Sequence, residues 1–259
     1  MTGAITAHID VAQITLYVFW GFFAGLVYYL HRENKREGYP LQSDRNERAP
    51  RVTVQGFPPV PAPKTFRIAD GRRIASPNFR GDARELALRP AAPHPGAAFE
   101  PTGDPMRDGV GPASWSERSD TIDLTMHGDA RIVPLREAPD HFVAEEDPNP
   151  VGMPVIGADG EQAGVINDIW VDRSEVVARY FEVTLSSGRR VLLPVNFSKV
   201  VGNARRHWVQ VRAILAAQFA HVPATRSPDR ITLLEEDKIC GYYGGGTLYA
   251  TPSRQEPLL

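Results

Sequence analysis

The residues able to do chemistry are concentrated in the middle of the chain. From Glu117 to Glu175 there are 14 acidic and 4 basic residues. Carboxylates crowded together repel one another, and a covered carboxylate is also desolvated. Both effects raise and spread their pKa values, so that such a group can share protons near neutral pH. Histidine as a residue type titrates in the same range, and His127 and His141 fall within the stretch. On residue types alone two readings stay open: a proton-handling cluster, or a solvated acidic face that keeps a domain soluble.

Other chemistries find little support. His141, His207 and His221 lack a paired ligand at metal spacing. The single cysteine, Cys240, rules out a disulfide framework and suits a reducing compartment. Within LLEEDKICGYY it reads as a small buried hydrophobe. No G-x-S-x-G, Cys/His pair, phosphate loop or metal cluster stands out, so stand-alone catalysis is not expected. Gly244-Gly245-Gly246 follows a helical pattern, whereas a phosphate cradle needs its glycines before one. The net charge of −2 gives no overall case for nucleic acid. RNA binding would also want a basic face with stacking aromatics, and the most acidic stretch runs into the strand region instead.

These residues need elements to hold them. Val11 to His31 comprises 21 residues with no formally charged side chain unless His31 is protonated. At about 1.5 Å per residue such a helix crosses a hydrocarbon core about 30 Å thick. It is apolar all round, unlike an amphipathic core helix. Residues 1–10 hold no Lys or Arg and no A-x-A site follows, so a signal peptide fits poorly. Arg32, Lys35 and Arg36 follow the span, which predicts a cytoplasmic C-terminal side and a periplasmic stub over residues 1–10. Gly21-x-x-x-Gly25 offers a small-residue face to partner helices as well as membrane lipids.

Residues 38–116 hold 13 of the 23 prolines, which leaves no room for a long helix or central strand. Spaced apolar anchors at Val52–Val54, Phe57, Phe66–Ile68 and Phe99 argue against a solvating linker. Residues 32–116 therefore read as an extended segment laid on a surface supplied from elsewhere. Residues 117–259 read as a β-rich domain. Val165–Asp172 and Tyr180–Leu185 alternate, and Ser186-Ser187-Gly188 turns into Arg190–Pro194. A further pair joins across Gly202-Asn203. This spacing predicts a small antiparallel barrel or sandwich over residues 151–212. Ala213 to Phe219 is a short amphipathic helix candidate. Thr232-Leu233-Leu234-Glu235 has capping-box spacing and predicts a C-terminal helix over 233–243, stopped at the three glycines.

Four motifs carry a resemblance: REGYPL (36–41), GDPMRDGVGPASW (103–115), DIWVD (168–172) and LLEEDKICGYYGGG (233–246). In this order, over essentially the whole chain, they resemble the H subunit of the purple-bacterial photosynthetic reaction centre. The strand region 153–211 is similar to a PRC-barrel. The resemblance implies one transmembrane helix, an extended segment and a mainly β cytoplasmic domain with a PRC-barrel-like core, in a bacterial inner (intracytoplasmic) membrane. It implies L and M subunits as partners, with core antenna helices and a cytochrome subunit nearby. Bacteriochlorophyll, bacteriopheophytin, quinones and iron would lie in those partners and none in this chain. The subunit would cap the cytoplasmic side of the quinone sites, support electron transfer between the quinones and conduct protons to the secondary quinone.

On this resemblance Asp172-Arg173-Ser174-Glu175 matches a stretch implicated in proton delivery, with Glu175 innermost and Asp172 its neighbour. His127-Gly128-Asp129 matches a His-Gly-His entrance whose second histidine is Asp129 here. An acidic residue two before the first histidine in relatives is Thr125 here, and Asp123 can serve in its place. The alternative reading is a membrane-tethered PRC-barrel adaptor for another partner.

Overall fold

The computed structural model describes residues 10–39, 41, 55–68, 71–78, 83–94, 97–202 and 206–255. Contacts divide the chain into two units, Met1–Arg84 with Ala91–Ala98, and Glu85–Pro90 with Phe99–Leu259.

In the first unit, helix α1 spans Val11–Asn34. Asp10 caps it by accepting a 2.7 Å hydrogen bond from the Gln13 N–H, which satisfies one of the orphan donors of the first turn. None of its residues is buried. Trp20, Phe22 and Phe23 all face outward, and a Cβ at Gly21 or Gly25 would meet nothing within 4 Å. Among the described residues the helix is covered only at its end, where the Phe57 ring lies 5.9 Å from Tyr28. The helix runs one turn past His31, because basic residues at a C-terminus suit the helix dipole. Beyond it Lys35 is buried and donates to the carbonyls of Gln55 (2.9 Å) and Pro58 (2.7 Å), tying the extended segment back to the helix end. Strands β1 (Lys64–Arg67) and β2 (Arg73–Ser76) form an exposed antiparallel hairpin. Phe57 is 79% exposed and Phe66 also lies open. Val52–Val54 and part of REGYPL, at Pro40, lie outside the described residues.

The second unit opens with β3 (Leu88–Pro90) paired to β4 (Phe99–Pro101) and a short helix α2 (Pro105–Asp108). Then come β5 (Ile132–Pro134), β6 (Pro154–Ile156), β7 (Gln162–Asp172), β8 (Val177–Leu185), β9 (Arg190–Pro194), β10 (Ser198–Gly202) and β11 (His207–Val211), followed by helix α3 (Leu233–Tyr249). The sheet order is β10-β11-β6-β7-β8-β9, with β5 on β7. The expected mainly β, PRC-barrel-like domain with its C-terminal helix forms, and its sheet differs from a closed antiparallel barrel in two features. β11 and β6 pair in parallel, and β9 does not pair with β10 among the described residues, so the sheet is not closed. Pro194 lacks a donor N–H, and a 3-10 turn at Val195–Phe197 redirects the chain there, so the ladder stops. The candidate helix at 213–219 is a 3-10 segment, Ala216–His221.

Register shifts at Ile166/Asp168 and Trp170/Val171 break the period-two alternation expected of β7. At this end of β7, paired to β5 on one edge and β8 on the other, Ile169, Trp170, Val171 and Asp172 are all buried in succession. Phe181, Val183 and Leu185 of β8 point inward as their alternation predicts. The core joins these to Ile239, Tyr242 and Tyr243 of α3 and to Phe219, whose ring lies 5.9 Å from Tyr243.

The capping box forms as its spacing predicts. Thr232 Oγ1 accepts from the Glu235 N–H (3.2 Å), and Glu235 accepts from the Thr232 N–H (2.9 Å). The helix does not stop at Gly244, however, but continues through all three glycines to Tyr249. The reason is close packing. A Cβ on Gly245 would lie 2.4 Å from Ala113 Cβ, and one on Gly246 would lie 2.3 Å from Ile214 Cγ2. The glycines let neighbouring backbone approach the helix, and tertiary contacts override their poor helix propensity. Gly246→Ala should therefore destabilise the full-length protein by about 1–3 kcal/mol through overpacking, although alanine is the better helix former. Denaturant unfolding checks this against Gly244→Ala, where the nearest atom is 3.2 Å away and a smaller effect is expected.

Candidate functional site

The site grows from the end of β7. Asp172 pairs in register with Ile132 of β5, which places Arg131 beside the turn that follows β7. Upstream of Arg131 the chain forms a tight hairpin. Leu124 bridges Ala130, the Thr125 N–H donates to the Asp129 carbonyl (2.8 Å), and the Arg131 N–H donates to the Asp123 carbonyl (2.9 Å). Gly128 sits at φ +89° in this turn, a conformation that favours glycine. The hairpin delivers Asp123 and Arg131 side by side and holds His127 and Asp129 at its exposed tip.

One guanidinium then gathers three carboxylates. Arg131 Nε donates to both oxygens of Asp172 (3.0 and 2.9 Å), Nη1 donates to Asp123 (3.2 Å), and Nη2 contacts Glu175. Asp172 is 0% exposed and accepts two further bonds at Oδ1, from the N–H groups of Ser174 (2.9 Å) and Glu175 (3.1 Å). Burial works against its ionisation. The Arg131 hydrogen bonds, the two backbone donors and the Arg131 charge outweigh burial and hold the carboxyl below its ordinary range. Arg131 is shifted upward in turn, chiefly by its bonds to Asp172.

Of the five sequence-chosen residues, the fold brings Asp123, Asp172 and Glu175 together on Arg131. It leaves the side chains of His127 and Asp129 at the hairpin tip, outside that cluster and without a side-chain partner among the described residues. Arg131 itself escaped the sequence reading, which gave no weight to the few cations inside the acidic stretch. The expected rise in carboxyl pKa is reversed at Asp172 because the fold sets this cation, 41 positions away in sequence, in hydrogen-bond contact with it, and two backbone N–H groups add to the effect. Among the described residues no group of three or more His, Cys, Asp or Glu is placed to hold a metal ion.

The arrangement is a fixed ionic clamp with accessible acids outside it. Asp172 is locked as an anion, while Glu175 is 55% and Asp123 38% exposed at the side chain. Arginine stays protonated throughout, so Arg131 orders the acids and passes no proton itself. Because the native pKa of Asp172 lies below its unfolded value, its contribution to stability is present above about pH 4. That contribution is lost as pH falls through the depressed native pKa. Arg131→Gln should remove about 2–3 kcal/mol at neutral pH by stranding a buried carboxylate. It should also move the acid-unfolding midpoint upward, read by near-UV circular dichroism across a pH series.

The comparisons with known proteins converge on one family. The model of the photosynthetic reaction centre H-chain N-terminal region matches residues 3–137. The PRC-barrel domain model matches residues 143–216, which contain the strands β6 to β11. With more than half of its length matched by the first model, and the open sheet matched by the second, the chain belongs to the H-chain family of the photosynthetic reaction centre: it is a reaction-centre subunit with one helix long and apolar enough to cross a membrane.

Proposed function

We propose that this subunit caps the cytoplasmic side of the quinone sites held by the L and M subunits and conducts protons through that cap. The observation that carries the reading is the gathering of Asp123, Asp172 and Glu175 on Arg131 from two separate stretches of the chain, the hairpin of residues 123–131 and the turn after β7. A covered quinone takes up protons when it is reduced, and bulk water does not reach it freely. Titratable groups within hydrogen-bond or one-water reach of one another must then bridge the cover. The hairpin tip with His127 and Asp129 is the entrance, Asp123 the next acid, and Glu175 the innermost. Asp172 and Arg131 hold Asp123 and Glu175 in place as fixed charges.

The exposed apolar surface supports a covering partner. Val176 and Val177, directly after Glu175, are open, as is Phe142 in the loop whose residues line an adjoining cavity of about 620 Å³. In the other unit, the bare surface of α1 and the exposed Phe57 and Phe66 call for lipid and partner helices. The basic residues after α1 favour a periplasmic N-terminus and a cytoplasmic second unit. The pigments, quinones and iron belong to the partners, and this chain supplies structure and proton transfer.

Glu175→Gln keeps an acceptor for Arg131 but removes the titrating group. It should slow proton-coupled reduction of the secondary quinone about tenfold while the complex still assembles, and flash kinetics across a pH series measure this. Unchanged rates would remove Glu175 from the path. Mild detergent extraction gives a separate check. The subunit should co-purify with pigment, and a colourless preparation would favour an adaptor for another partner.

A further inference from the structure

Helix α3 carries an acid that the Arg131 cluster does not use. Glu236 is half-buried at the wall of a cavity of about 500 Å³, lined also by Arg179 and Tyr180 of β8, Asn196, Arg118, and Asp237 and Cys240 of α3. The Tyr180 hydroxyl donates to Glu236 Oε2 at 2.8 Å and lies 4.0 Å from Cys240 Sγ. The surroundings of this carboxyl differ from those of the other interior acids. Asp172 faces Arg131, Glu182 faces Arg136 and Arg190, and Glu235 faces Arg226. Glu236 has a phenol and a thiol for neighbours and forms no ion pair among the described residues. Arg118 at the cavity wall is taken by Asp237 (3.7 Å), and Arg179 lies at the exposed rim.

We infer that Glu236 is a proton-holding site of this subunit, taking up and releasing its proton through the cavity it lines during quinone reduction. The inference rests on the proton-conducting reading and adds to it a residue that the sequence motifs did not single out. In the neutral form the Tyr180 hydroxyl occupies Oε2, and Oε1 carries the proton. On release that proton passes to water in the open cavity, and the Tyr180 hydroxyl stabilises the carboxylate left behind. Protonation from the cytoplasmic side restores the neutral acid.

The electrostatics agree with the geometry. Desolvation is the largest influence and raises the Glu236 pKa, and the negative charge of Asp123 adds to it. The Tyr180 hydrogen bond and the charges of Arg179 and Arg118 oppose the rise without cancelling it. Burial also raises the Tyr180 and Cys240 pKa values, so both remain neutral and Glu236 is the member of the trio that titrates first. Asp123 belongs to both settings, since it is bonded to Arg131 and its charge reaches Glu236. A change of charge at Glu236 is therefore felt in the cluster that contains Glu175.

The test uses the intact, pigment-bearing complex and light-induced infrared difference spectra of secondary-quinone reduction, in light and heavy water. A carboxylic C=O band that shifts in heavy water is expected in the native complex, with its amplitude following pH. Glu236→Gln, whose amide oxygen still accepts from Tyr180, should abolish the band while leaving the pigment absorption intact. Tyr180→Phe should retain the band and move its pH dependence upward, because the carboxylate loses its stabilising donor. A band unchanged by Glu236→Gln, or no such band at any pH, overturns the inference. If Glu175→Gln still slows quinone reduction in that case, the proton-conducting reading stands and only Glu236 is lost from it. If neither substitution has an effect, the proton-conducting reading fails as well.

Discussion

The carboxylate of Asp172 has no exposed surface, and an ion so placed survives only if charge and hydrogen bonds offset its desolvation. The Arg131 guanidinium, whose Nε–H is shared between the two oxygens, and two backbone N–H groups on Oδ1 supply that. Each donor fixes a piece of chain. Arg131 fixes the hairpin of residues 123–131 against the end of β7. The Ser174 and Glu175 N–H groups fix the turn into β8, in which Val176 is held at φ +55°, a position a β-branched residue seldom takes. The placement of Asp123 and Glu175 beside Arg131 follows from the need to satisfy one buried charge.

A second arginine builds a comparable hub. Arg136 bonds Asp168 (2.8 Å), Glu182 (3.0 Å) and Asp229 (2.9 Å), and Glu182 also accepts from Trp170 Nε1 (3.1 Å) and Asn167 (2.7 Å). That network ties β7 and β8 to the segment leading into α3. Its central acid is 2% exposed and fully occupied. The Arg131 hub is built the same way around the buried Asp172, and its outer acids Asp123 and Glu175 are 38% and 55% exposed where Asp229 on Arg136 is 36% exposed. Two clusters of the same composition thus each tie distant segments together around one buried acid, and Glu175 is the most exposed acid of either.

Local physics was legible in the sequence where a rule acts over a few residues. The span from Val11, the Thr232–Glu235 capping box, the turn at Ser186–Gly188 and the inward face of Phe181, Val183 and Leu185 all follow from spacing alone. What escaped depends on partners distant in sequence. The three glycines after Tyr243 look like a helix stop until Ala113 and Ile214 are seen pressing on them. The two register shifts in β7 have no local mark, and neither has the burial of Val171 and Asp172 together between β5 and β8. Asp172 and Glu175 were readable by motif resemblance, whereas Arg131 was readable only by position. Glu236 lies inside a motif that gave it no role, and its environment is visible only where β8 brings Tyr180 against it.

The two units meet the cost of burial differently, and this bears on when the acids can function. The second unit has its own core, so the Arg131 clamp forms within one folded body. The first unit has no buried residue in its helix and leaves Phe57 and Phe66 bare, so lipid and other subunits must complete its structure. Attachment and acid placement are therefore separable properties of one chain. Gly21 and Gly25 lie in the first unit with nothing within 4 Å of an added Cβ, and Asp172 lies in the core of the second. Removing Arg131 disorders the acids without disturbing the helix. The proposed function would draw on both: the clamp to set the spacing of the acids, and the helix to attach the subunit to its membrane complex.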